Sequence, residues 1–273
     1  MLNEAHLHVP GDPFGTLRAG SSPSAQDYTA LPSWLPPRPI LCLITDRRLV
    51  GSADLPSVAA EAAAGGVTLV QLREKDLPTR ALLELALRVR EALEPHGVPL
   101  VVNGRADVAF AAGVAGVHLP ADGLPVAGAR AALGPRALIG RSVHSTLEVA
   151  QSASEALDYL VLGTTFPSRS HPGSPTLGLD AIRATSNSTI PVVAIGGINP
   201  ENAVEVMAAG AAGVAVISSI LAQPRPRLAA ERLRAAIDKG WSERVALPAA
   251  AGAAASSGRS STPGPLLSRR GPG

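Results

Sequence analysis

Short apolar runs alternate with alanine- and leucine-rich stretches of helical spacing through the middle of this chain. The runs cover residues 40–45, 67–71, 99–102, 116–118, 138–140, 159–163, 192–195 and 213–217. Each closes on polar or glycine residues. The intervening helical patterns are 53–64, 79–94, 106–112, 126–133, 146–156, 179–185, 200–209 and 225–239. An apolar run too short for a helix and bounded by turn residues reads as a buried strand. Strands that alternate with helices pair in parallel, because each crossover helix returns the chain to the same end of the sheet. Eight such units in about 200 residues predict an α/β fold, a single (β/α)8 TIM barrel. A doubly wound open sheet is the runner-up. Local punctuation agrees: Pro200 suits a first helical turn with Asn199 as its cap, and Gly65 and Gly210 fall where helices should stop.

Composition sharpens the boundaries. The opening segment, 1–38, is rich in Pro, Ser and Gly and has neither periodicity, so it is expected to be a disordered or loosely packed extension. Residues 242–273 read as a low-complexity Ala/Ser/Gly/Pro tail, leaving 39–241 for the barrel. Hydrophobic residues make up 46% of the 273 and aromatics only 3%, so Ala, Val and Leu must build the core. A net charge of +2, from 24 basic and 22 acidic residues, gives no argument for nucleic acid. The single cysteine, Cys42, rules out an intrachain disulfide and a thiolate metal cluster and is expected to pack as a small hydrophobe. No leader segment is expected, and no apolar stretch of about 18 residues occurs in the sequence, so a cytoplasmic protein without membrane contact is expected.

In a barrel, the loops after the strands share one face. They would gather Asp46, then Gln71, Arg73 and Lys75, then Asn103 and Arg105, then His118, Ser142 and His144, then Thr164, Thr165 and Ser168, and finally Gly196, Gly197, Ser218 and Ser219. Polar side chains at every strand end point to a binding site rather than to packing. Loops seven and eight suit a phosphate: Gly196 and Gly197 expose backbone, and Ser218 and Ser219 add amide and hydroxyl donors. Gln71, Arg73 and Lys75 share one face by strand alternation and suit an anionic or heteroaromatic ligand. Gly-Arg-Ser-Val-His-Ser at 140–145 places Ser142 and His144 on one face, with His144 the first candidate for proton transfer.

These motifs resemble the thiamine phosphate synthase superfamily from about residue 41 to 221: Leu-Ile-Thr-Asp (43–46), Gln-Leu-Arg-Glu-Lys (71–75), Gly-Val-His-Leu (116–119), Ala-Ile-Gly-Gly-Ile (194–198) and Gly-Val-Ala-Val-Ile-Ser (213–218). The resemblance implies a small (β/α)8 barrel that handles a thiazole phosphate. Two branches differ at three places. The synthase pattern has Asn-Asp after the third strand and His-Leu-Gly-Gln-x-Asp after the fourth, with both Asp serving Mg²⁺, and a Thr-x-Thr-Lys diphosphate loop. Here those places read Asn103-Gly104, His118-Leu119-Pro120-Ala121-Asp122-Gly123 and Ser168-Arg169-Ser170-His171. Asn103-Gly104-Arg105, His118-Leu119-Pro120 and the 140–145 motif instead resemble the thiazole tautomerase branch.

The resemblance therefore implies an isomerase that aromatises a carboxythiazole phosphate, with His144 and Ser142 as catalytic residues. Gln71, Arg73, Lys75, Asn103, Thr164 and Ser168 would bind substrate, and Gly196, Gly197, Ser218 and Ser219 would bind phosphate. No metal site and no cofactor are expected, Mg²⁺ entering only with the alternative. That alternative is thiamine phosphate synthase, which joins hydroxymethylpyrimidine diphosphate to thiazole phosphate and releases diphosphate. A non-catalytic, thiazole-phosphate-binding regulator is the third reading. The expected partner is a small-molecule thiazole phosphate, with no nucleic acid and no membrane; a homo-oligomer is compatible with the sequence.

Overall fold

The structure is a computed structural model that describes residues 38–168, 173 and 175–246. The expected extension (Arg38 apart) and the tail beyond Ala246 lie outside the described residues.

Eight parallel strands close into a ring: β1 (Ile40–Ile44), β2 (Leu69–Leu72), β3 (Leu100–Asn103), β4 (Gly116–Leu119), β5 (Leu138–Val143), β6 (Tyr159–Gly163), β7 (Val192–Ile195) and β8 (Gly213–Val216). β8 pairs back onto β1 with Ile40 opposite Gly213 and Leu43 opposite Val216, which removes the open-sheet alternative. The runs are mainly apolar because both faces of each strand are covered. Alternation divides them: Ile40, Cys42, Ile44, Leu69, Val101, Leu138, Tyr159, Val161, Val193 and Ala215 pack together inside the ring. Leu41, Leu43, Val70, Leu72, Val102 and their neighbours pack outward against the helices. Aromatics are few, and one of them, Tyr159, is fully buried among the interior residues. Gly140 admits its ring, since a Cβ there would lie 2.1 Å from Tyr159 Cζ.

The helices are α1 (Leu55–Ala64), α2 (Thr79–Leu93), α3 (Ala106–Ala112), α4 (Val126–Leu133), α5 (Thr146–Gln151), α6 (Gly178–Ala184), α7 (Pro200–Ala208), α8 (Ser218–Leu221) and α9 (Pro226–Ala246). Asn199 caps α7 as expected, accepting from the backbone N–H of Glu201 and Asn202, while the Asn202 side chain accepts from Asn199 N at 2.9 Å. Several boundaries shift by a residue or two, the short α8 was not expected, and three elements change further. β5 continues to Val143, because Ser142 and Val143 still pair with Val161 and Leu162 of β6. α5 stops at Gln151 and tightens into a 3-10 turn, Ser152–Ser154, where the Ser152 hydroxyl donates to Glu148 O at 2.8 Å. α9 runs on to Ala246, burying Ala230, Leu233, Ile237 and Gly240 against its neighbours. Among the described residues, no helix is long and apolar enough to cross a membrane.

Candidate active site

The carboxyl ends of the strands bring the expected polar residues to one mouth, but not all of them remain available there. Asp46 caps a short 3-10 helix, Arg47–Leu49, accepting from Arg48 N at 3.2 Å and from the Arg48 guanidinium at 2.9 and 3.0 Å. Those hydrogen bonds hold its carboxyl below the usual range. Arg105 likewise pairs with Asp107 and reaches Thr79 Oγ1 at 3.1 Å. Both serve local structure.

The β2 loop is braced by a carboxylate the sequence reading passed over. Glu74 is 5% exposed. It accepts from Thr45 Oγ1 at 2.7 Å, from Arg47 N at 3.0 and 3.2 Å and from Arg47 Nη1 at 3.1 Å. Thr45 Oγ1 in turn accepts from Arg73 N at 2.9 Å. The loops after β1 and β2 are thus locked together. Alternation puts Glu74 on one side of the chain and Gln71, Arg73 and Lys75 on the other. Gln71 is 1% exposed, and its buried Nε2 has no hydrogen-bond partner in the protein. A buried amide left unpaired is costly, and a bound ligand is one way to pair it.

β3 ends in the half-buried Asn103, whose register partner on β4 is His118. His118 is buried inside the barrel, with Nδ1 3.1 Å from the Tyr159 hydroxyl and Nε2 2.8 Å from Ser142 Oγ. Burial, helped by the positive charge of Arg73, pushes its pKa down to about 3, so the imidazole is neutral. Ser142 is half-buried and His144, two residues on, is exposed. His144 directly precedes Ser145, the N-cap of α5. Ser145 Oγ accepts from Glu148 N at 3.2 Å, and the Glu148 carboxylate accepts from His144 N at 2.9 Å. The His144 ring presents Nδ1 to Gly163 O at 3.3 Å. Arg141, immediately before Ser142, faces the other way and pairs with Glu155.

Thr164 and Ser168 lie half-buried after β6, while Thr165 is buried with its hydroxyl unpartnered. Arg169, Ser170 and His171 fall outside the described residues. Thr164 packs against Gly196, where a Cβ would lie 2.5 Å from its Cγ2. Gly197 has φ +63° and space for no side chain, since a Cβ would meet Pro167 O at 2.5 Å. α8 begins at Ser218, and the first N–H groups of a helix have no intrahelical acceptor. The expected hydroxyl donation is corrected at one position. Ser219 Oγ donates to Ile198 O at 2.5 Å, leaving its amide as the group it can offer an anion.

Among the described residues, the structure gathers no paired carboxylates of the kind that would hold Mg²⁺ without substrate. Mg²⁺ prefers hard oxygen ligands in near-octahedral array. Gly104 and Gly123 supply none, and the backbone has settled around them. Gly104 has φ +70°, and a Cβ on Gly123 would lie 2.9 Å from Pro120 Cδ and 3.0 Å from Pro120 O. Asp46, Glu74, Asp76 and Asp107 are bound to arginines. Among the described residues, no cluster of three His, Cys, Asp or Glu could hold a metal ion. The residues present do not fit a protein-held Mg²⁺.

Comparison with known proteins settles the wider relationship. The family described as thiamine monophosphate synthase matches residues 41–220. A putative thiamine-phosphate synthase of Geobacter sulfurreducens is 48% identical over 198 residues, covering 71% of this chain and 91% of its own length. A thiamine-phosphate synthase of Albidiferax ferrireducens is 46% identical over 200 residues, covering 72% and 91%. The thiamine phosphate pyrophosphorylase of Pyrococcus furiosus superposes with a TM-score of 0.68 at 35% identity, covering 74% of this chain and 96% of that one. These findings overturn the isomerase expectation, because relatives at 40–48% identity carry the name of the transferase. The tautomerase reading rested on three short motifs. Two of them mark lost metal carboxylates, which report how charge is held and not which bond is made. By sequence over the whole barrel and by fold, this chain belongs to the thiamine monophosphate synthase family.

Proposed function

We propose that this protein is a thiamine-phosphate synthase, a transferase that joins hydroxymethylpyrimidine diphosphate to thiazole phosphate. The observation that carries the reading is identity of 40–48% to synthase-named relatives over more than nine-tenths of their length. In the step, the thiazole nitrogen lone pair forms a bond to the pyrimidine methylene carbon. The carbon–oxygen bond to diphosphate breaks, and diphosphate leaves with the electron pair. No proton has to move for this substitution, so His144 has no base to play. It lines the mouth beside Ser142, held by Glu148 and Gly163.

The leaving diphosphate needs its charge neutralised. Arg73 and Lys75 are the cations on the braced β2 loop, and Gln71 beside them supplies an amide for the heteroaromatic ring. Asn103, Thr164 and Ser168 complete the wall of the pocket. The thiazole phosphate takes the backbone of Gly196 and Gly197 and the amides of Ser218 and Ser219, the usual phosphate position of this fold. Mg²⁺ is the ion this reaction implies, and since the residues do not fit it, no step is assigned to it. The substrates are small molecules, and a cytoplasmic setting follows from the same reading. The test is to incubate purified protein with both substrates. Thiamine phosphate should appear only when both are present; tight binding of thiazole phosphate without turnover would contradict the reading.

A further inference from the structure

We propose that Tyr159 and His118 form a buried, proton-ordered relay that fixes Ser142 as a hydrogen-bond donor toward a ligand in the barrel mouth. Both act as positioning residues: neither reaches the mouth, and Ser142 does. The order follows from counting hydrogens. Tyr159 is fully buried, and among the described residues its hydroxyl makes one hydrogen bond, to His118 Nδ1 at 3.1 Å. If Nδ1 carried the proton, the tyrosine oxygen would accept it and the phenolic hydrogen would be buried without an acceptor. An orphaned buried donor costs its full desolvation. The tyrosine therefore donates, and Nδ1 is bare.

A neutral imidazole has one N–H, so it must lie on Nε2. Nε2 is 2.8 Å from Ser142 Oγ and donates to it. The serine oxygen thus accepts from behind, and its own hydrogen is turned away from His118. The charged and titratable groups around the relay agree with a neutral ring. Arg73 on the β2 loop disfavours an imidazolium, and Cys42 on β1 and Asp158 before β6 act on Tyr159. Cys42 itself is a buried thiol with its pKa raised to about 12. The opposite order would make Ser142 a serine activated by a histidine base, as in nucleophilic catalysis. The tyrosine forbids that order. Its ring is accommodated by Gly140, two residues before Ser142 on the same strand, so the element that presents the serine also makes space for the relay.

The relay deepens the synthase reading, and its test separates the two. In full-length protein labelled with ¹⁵N-histidine, long-range ¹H–¹⁵N spectra should show His118 with Nε2 protonated and Nδ1 bare, unchanged from about pH 5 to about pH 8, the range in which an ordinary histidine titrates. The signal is assigned by its loss in His118→Gln. Protonated Nδ1, or titration within that range, would overturn the relay whatever the protein catalyses. The kinetic arm uses a double-mutant cycle with hydroxymethylpyrimidine diphosphate and thiazole phosphate. Tyr159→Phe should lower kcat/KM roughly tenfold in the wild type but less than about twofold on a Ser142→Ala background, because the two changes remove one interaction. Equal losses on both backgrounds would mean that Tyr159 acts only through packing and would overturn the relay. If no thiamine phosphate forms while His118 shows the Nε2–H form, the synthase reading fails and the relay stands.

Discussion

Individual residues in this barrel are defined by what surrounds them more than by what they are. His118 and His144 show it. Sequence singled out His144 from a Ser-x-His motif and treated His118 as one strand end among eight. The structure leaves His144 exposed, its amide held by Glu148 and its ring beside Gly163 O, and buries His118 between Tyr159 and Ser142, where it stays neutral. A histidine whose folded pKa is about 3, against about 6.5 unfolded, binds fewer protons folded than unfolded between those values. Stability therefore rises with pH across that window and falls as the solution is acidified below pH 6.5. Acidifying from pH 7 to pH 5 should cost about 2 kcal/mol through this group alone. Chemical denaturation at the two pH values should show a loss that largely disappears in His118→Gln; an unchanged pH dependence would remove His118 as its source. The neighbouring Gly140 makes a steric prediction. Gly140→Ala should destabilise by about 3 kcal/mol or more, because the methyl would overlap the Tyr159 ring. A thermal melt within a degree or two of wild type would show that the ring can move aside.

At the scale of elements, the strands were the most legible feature, because eight apolar runs bounded by polar or glycine residues admit few other interpretations. β6 and β7 came out to the residue. The ends that were missed have physical causes. β5 continues past Gly140 because its ladder with β6 persists through a stretch of polar residues, Arg141 and Ser142, that a hydrophobic pattern cannot flag. α8 was invisible because four residues carry no periodicity, although Ser218-Ser219 was already marked as an anion site. Glu74 was missed because a charged residue inside Gln-Leu-Arg-Glu-Lys reads as surface. Only the pairing of β1 with β2 brings Thr45 and Arg47 to its carboxylate. The loops after β7 and β8 are the ones proposed to take the phosphate, and Gly197 tests that proposal. With φ +63° and Pro167 O where a Cβ would go, Gly197→Ala must displace the loop. It should raise KM for thiazole phosphate roughly tenfold or more while leaving KM for the diphosphate substrate within about twofold, the signature of lost binding at one subsite. Parallel changes in both KM values would place the phosphate elsewhere.

For the whole molecule, the closed barrel supplies the common mouth that made eight separate strand ends worth reading together. Fold and family were accessible from the sequence, and the reaction was not. The motifs that distinguish the two branches are largely the positions where carboxylates were lost, and a missing carboxylate changes how diphosphate charge is held without naming the bond that forms. The metal prediction follows from the same residues. Titration of the substrate-free protein with Mn²⁺, followed by the free-ion resonance signal, should show no site tighter than about 1 mM, since Mg²⁺-type sites with one or two carboxylates depend on substrate oxygens for the rest of their ligands. Micromolar binding would show that the protein holds the ion itself. The central claim is that this family member is a transferase, and the most direct measurement is a ³¹P NMR time course of protein with hydroxymethylpyrimidine diphosphate, before and after thiazole phosphate is added. The account predicts that free diphosphate and thiamine phosphate then appear together in equal amounts; persistence of both substrate signals unchanged, with and without added Mg²⁺, would contradict it.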